Sequence, residues 1–152
     1  MNKSSILEAF VPEVAADVLA ALLSNNKRFL YIEQHLQSGN LTQKEATSKN
    51  INKATLMAHQ FLYAFETMKM TSPAHYTNRI KPAIKYYCAL ISNDVRYGQI
   101  SKLVDLGLDN DSATQKNVNM ALKIQFQYEL AFNGSFSEHE QNKINDYFGE
   151  KL

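Results

Sequence analysis

Three observations predict an all-α protein. Only five glycines and three prolines punctuate 152 residues, too few for a β-sandwich or barrel, which turns every 8–12 residues or so. No run alternates apolar and polar residues with the valine, isoleucine and threonine enrichment of strands. Strong helix formers fill the intervals instead, and helix-start signals recur along the chain. The expectation is a bundle of about five to six helices, two or three of them long, forming a single domain over residues 1–152.

The first helix is expected to begin at Pro12, whose fixed φ suits the first turn, with Glu13 at the positive end of the dipole. Val11, Ala15, Val18, Leu22, Asn25, Phe29, Ile32 and Leu36 follow a heptad-like spacing that runs to Ser38-Gly39. Two readings of Asn25 stand open. It is either a polar residue on the seam of one long helix, where it would set self-association, or a break between two shorter helices. Thr42-Gln43-Lys44-Glu45 is a capping box. The helix it opens should reach about Lys69, burying Ala54, Met57, Phe61, Phe65 and Met68, and end near Thr71-Ser72-Pro73. A third helix, capped by Asn78 with Pro82 in its first turn, carries the stripe Ile80, Ile84, Tyr87 and Ile91. A short helix over 99–106 follows Gly98 and stops at Gly107. Asp109 to Ser112 caps a fifth helix that ends at Asn133-Gly134. Ser137 to Glu140 is a second capping box, opening a last helix with Ile144, Tyr147 and Phe148. Leu22, Phe29, Phe61, Phe65, Ile84, Tyr87 and Ile91 are the expected core. Phe29-Leu30-Tyr31 is echoed 32 residues later by Phe61-Leu62-Tyr63, which we read as coincidence.

A composition 45% hydrophobic and 20% charged is that of a folding domain, not a disordered chain. One cysteine excludes an internal disulfide framework. No apolar run approaches the roughly 20 residues a membrane span requires, and the N-terminus lacks the pattern of a signal peptide. A cytoplasmic protein with no membrane association is the expectation.

His35, His59, His75 and His139 fall in four different elements, and none forms a His-x-x-x-His or Glu-x-x-His pair, so no metal is expected. Residues 105–116 resemble a calcium loop only superficially, since Asn110 replaces the turn glycine and Lys116 the terminal glutamate. No phosphate-cradling glycine loop or nucleophile elbow is present. Cys88, inside Tyr86-Tyr87-Cys88-Ala89-Leu90, reads as a small buried hydrophobe. Glu138-His139-Glu140 reads as capping. Arg28 and His35, seven apart, do not match the arginine–histidine spacing of small helical ribonucleases. No cofactor and no catalytic residue is predicted.

Charge is spread unevenly. Over residues 75–104, Arg79, Lys81, Lys85, Arg96 and Lys102 face Asp94 alone, a local charge of +4; residues 105–152 carry −4. Tyr76, Tyr86, Tyr87 and Tyr97 interleave with the basic residues. Cations neutralise phosphates and aromatic faces stack on bases, so the stretch has what a nucleic-acid surface needs. It equally suits a solvated helix face or contact with an acidic protein.

In size, helical layout and this basic, tyrosine-rich middle, the chain is loosely similar to the small helical subunits of multi-protein CRISPR effector complexes. That resemblance implies non-catalytic tracking of a nucleic-acid backbone. Gly134 to Glu140 also resembles the last-helix entry of tellurite-resistance-type helical domains. Neither resemblance covers a diagnostic motif, and neither assigns a residue. The expected function is a non-catalytic protein-interaction module (an adaptor, inhibitor or assembly subunit) binding a protein partner or itself through a helix face, with Asn25 as the association seam. The alternative is a nucleic-acid-associated subunit using Tyr76, Arg79, Lys81, Lys85, Tyr86, Arg96, Tyr97 and Lys102.

Overall fold

A computed structural model describes residues 5–68, 75–132 and 137–148. They form eight helical segments and, among the described residues, no strand: α1 (Ser5–Glu8), α2 (Val11–Ser24), α3 (Asn26–Gln37), α4 (Gln43–Met68), α5 (Tyr76–Ser92), α6 (Asp94–Asp105), α7 (Asn110–Phe132) and α8 (Glu138–Phe148). The all-α class holds. The helices outnumber the expected five to six because α1 precedes Pro12 and the expected first helix is split at Asn25; that break, like the one between α5 and α6, carries neither glycine nor proline.

Both breaks use one device. Asn25 lies in extended backbone (φ −80°, ψ 117°), ending α2 and capping α3; Asn93 (φ −80°, ψ 120°) stands likewise between α5 and α6. Each side-chain oxygen accepts the backbone N–H three residues on, from Arg28 or Arg96, at 2.9 Å, which satisfies a donor the helix cannot. The long-helix reading of Asn25 is therefore corrected. The break resets the helical phase, so Phe29 is exposed rather than in the core, and Ile32 is the residue α3 buries. Asn25 itself is wholly buried and donates to the Ile91 carbonyl at 2.9 Å. It is a bolt inside the fold, not an outward association seam.

Two further boundaries move. α5 starts at Tyr76, ahead of the expected cap Asn78, because the Tyr76 ring buries itself edge-on against Phe65 at 5.6 Å. Pro82 thus lies inside the helix, leaving the Asn78 carbonyl without its usual helical donor. Gly98 sits within α6 rather than before it. Both capping boxes form: Thr42 with Glu45 at 2.9 and 3.2 Å, Ser137 with Glu140 at 3.2 and 3.1 Å. The expected ends at 69, 71–73 and 133–134 lie outside the described residues, as do the side chains of Met68, Ile144, Tyr147 and Phe148.

The two asparagine breaks belong to an internal repeat. Ser24-Asn25, Arg28, Ile32 and Gly39 recur 68 positions later as Ser92-Asn93, Arg96, Ile100 and Gly107. Past the turn the offset becomes 67, where Ala46-Thr47, Lys49-Asn50, Asn52 and Ala54 recur as Ala113-Thr114, Lys116-Asn117, Asn119 and Ala121. The geometry repeats with them. α3 and α6 each have 12 residues. The Nε–H of Arg28 donates to Asn50 at 3.0 Å and that of Arg96 to Asn117 at 2.9 Å. Gly39 and Gly107 take positive φ (81° and 116°) just past their helices, where a side chain would be strained. The chain is one helix–helix–helix unit used twice, α2-α3-α4 and α5-α6-α7. The 32-residue echo has no such counterpart: Phe29 is exposed and Phe61 fully buried.

Within each unit α2 packs on α4 and α5 on α7; between units α2 meets α5 and α4 meets α7. Gln60, late in α4, contacts Asp111 and Thr114 early in α7, while the N–H of Asn26 donates to Asp94 at the matching position. Like helices cross instead of lying in register, the reciprocal arrangement of a two-fold pair. One apolar cluster runs through both units, with Val18, Leu22 and Phe61 from one and Ile80, Tyr87 and Val118 from the other. The Phe61 and Tyr87 rings lie 5.0 Å apart at its centre.

Candidate interaction groove

The basic residues predicted as one surface point in several directions. Arg79 is buried, its guanidinium paired with Glu129 of α7 and, at 3.5 Å, with Glu140 of α8. The partners lie 50 and 61 positions away, and this capture corrects its assignment to an exposed face. Tyr76 is likewise buried. Lys81 and Lys85 are exposed on α5 and border a depression that includes Glu13 and Asp17 of α2. Tyr86 is half-buried on another side, near Tyr128. Arg96 is turned to Asn117, and Lys102 is exposed on α6. Only Tyr97 joins the groove described next.

Cys88 borders the same depression as Lys81 and Lys85. Burial, and to a lesser degree Asp17, pushes its thiol up to about 12. A thiol so protonated is a poor nucleophile. Among the described residues no three His, Cys, Asp or Glu side chains come together in a way that could hold a metal. No helix among them is long and apolar enough to cross a membrane.

An open groove of about 860 Å³ lies between α3, α4 and α6. Lys27 and Arg28 come from the first turn of α3, and Lys49 and Lys53, one turn apart, from α4. No carboxylate lines the groove. Its apolar surface is Leu30 and Tyr31 from α3 and Leu56 from α4, all solvent-exposed, with Tyr97 and Ser101 on the α6 side. Gly98 of α6 faces the Lys27 stem, which a Cβ there would meet at 3.6 Å, an ordinary van der Waals contact.

Arg28 is tethered to Asn50 and lies over the Tyr31 ring, 5.7 Å from its centroid; Tyr31 meets His35 edge-on at 4.6 Å. The Lys53 amine is held below the ordinary lysine range, first by burial and then by repulsion from Arg28 and Lys49. Such a cluster is short of negative charge, and an anion seated there would relieve it.

Sequence reasoning missed this site because its cations come from two helices, and a charge count along the chain sees neither pair as a block. The spacing of Lys49 and Lys53 beside exposed Leu56 was the available signal. The second unit does not repeat the feature. Positions matching Lys27 and Lys53 are Val95 and Met120, so Arg96 and Lys116 alone retain charge there. No protein-family model matches the chain, and neither curated proteins nor solved structures provide a match.

Proposed function

We propose that the protein is a non-catalytic interaction module whose α3–α4–α6 groove captures an acidic segment of a partner protein that also carries large apolar side chains. One observation carries the reading: four cations and no carboxylate border a groove whose exposed apolar surface is Leu30, Tyr31 and Leu56. Arginine and aromatic anchors among apolar neighbours favour protein association. Exposed leucines gain from burial against apolar side chains and gain little from a phosphate backbone. The nucleic-acid reading drew on residues 76–102, whose cations are dispersed over different sides of the fold.

The test is fluorescence anisotropy with a labelled peptide alternating Glu and Leu, set against a single-stranded oligonucleotide. Reversal of Lys49 and Lys53 to glutamate is expected to weaken the peptide about ten- to a hundredfold, since like charges then oppose it. Leu56→Ser should weaken the peptide and leave any oligonucleotide binding unchanged. Tighter binding of the oligonucleotide, lost steeply with salt and indifferent to Leu56→Ser, would establish the nucleic-acid alternative instead.

A further inference from the structure

The groove opens inward. Lys53, Leu56, Tyr97 and Ser101 line both it and a more enclosed chamber of about 230 Å³ between α4, α5, α6 and α7. That space equals the liquid share of roughly eight water molecules, about the bulk of a short acyl chain or one substituted ring. Its apolar side is made by Met57, Leu90, Ile91, Ile100 and Val104. Some polar groups on its floor already have partners. Thr114 donates to Gln60 at 3.2 Å, and Asn117 accepts from Arg96 at 2.9 Å.

The internal repeat contrasts the helix over this space with its counterpart in the first unit. At the matching position in the first unit, Ile32 is buried and docks α3. α6 buries no residue, and Ile100 is only half-covered. The chamber lies beneath the less buried of the two helices, where the cations of the first unit reach its mouth.

We infer that chamber and mouth form a binding site for a small amphipathic carboxylate, its apolar tail between α6 and the core and its anionic end at Lys53. Met57, Leu90, Ile91, Ile100 and Val104 favour an apolar tail, which gains from leaving water against them. Lys53, with Arg28 and Lys49 behind it, supplies the sign of the head group; no carboxylate in either lining opposes it. The depressed Lys53 amine agrees, since a bound anion would restore its charge. This inference stands apart from the acidic-segment reading, and either can fail alone.

Octanoate, octan-1-ol and acetate are the probes, followed by calorimetry and thermal melting of the full chain. Octanoate should bind saturably and raise the melting temperature. Octanol, lacking the charge, and acetate, lacking the tail, should each bind about tenfold more weakly or worse. Lys53→Met should reduce octanoate to the level of octanol and leave octanol unchanged. Val104→Trp, which fills the chamber from α6, should abolish octanoate binding while the acidic peptide still binds. If that variant does not fold, the octanoate–octanol difference on Lys53→Met decides alone. Octanoate binding no tighter than octanol, or undiminished by Lys53→Met, overturns the site.

Discussion

Ile32 and Ile100 occupy matching positions on matching helices, yet they do different work. Ile32 is 8% exposed and seats α3. Ile100 borders a chamber and leaves α6 without a buried anchor. The same contrast runs along the long helices. Phe61 is completely buried, whereas its counterpart Tyr128 is 50% exposed. Val11, beside the core, is matched by Arg79, which is locked to two carboxylates. The frame of caps, arginine–asparagine tethers and turn glycines is held in common because it specifies backbone path. What the helices bury is free to differ, because packing is decided by neighbours and not by local conformation.

The comparison can be broken most forcefully at the long helices. Phe61→Ala should cost about 3–5 kcal/mol, since it opens a cavity between the units, whereas Tyr128→Ala should stay within about 1 kcal/mol. Urea denaturation of the two variants reads the difference; equal costs would mean the units share the core more evenly than the burial implies.

The caps give a smaller contrast. Asn93→Ala should cost about 1 kcal/mol, as cap removal usually does. Asn25→Ala should cost about 2–3 kcal/mol, because it also strips a buried partner from the Ile91 carbonyl. Equal losses would reduce Asn25 to an ordinary cap.

The least effect is expected from Cys88. Its folded thiol is pushed up to about 12 from an ordinary 9.0. Below that ordinary value both states keep the proton and the contribution is at its plateau. As pH rises through the window the unfolded chain ionises first, so stability falls. Tyr87 is shifted in the same direction and Lys53 opposes them, so the informative quantity is the difference between wild type and Cys88→Ala. The variant should lose stability less steeply above about pH 9, measured by denaturation at stepped pH.

Features carried by adjacent residues were legible before the structure. The two capping boxes, the turn glycines and the stripe of Ile80, Ile84, Tyr87 and Ile91 each follow from a few positions along the chain. Asn93 was not legible as a cap, since nothing beside it marks a helix end. The repeat was obscured because its matches are scattered and its offset shifts from 68 to 67 between Gly39 and Ala46. Arg79 carried no local sign of burial, for its carboxylate partners arrive through folding. The groove is likewise a product of tertiary structure, joining the start of α3 to the middle of α4.

The crossing of like helices has a consequence for how such a molecule can vary. In an assembly of two identical chains, every substitution enters both sides at once, and a change that loosens one helix loosens its twin. Here a peptide connection keeps the two units together at a high effective concentration, and each codon is read once. A residue can therefore be lost from one side while its counterpart keeps the pair closed. Covalent linkage turns a symmetric interface into one tolerant of asymmetry, with Ile32 and its half securing the fold while α6 stands clear of it.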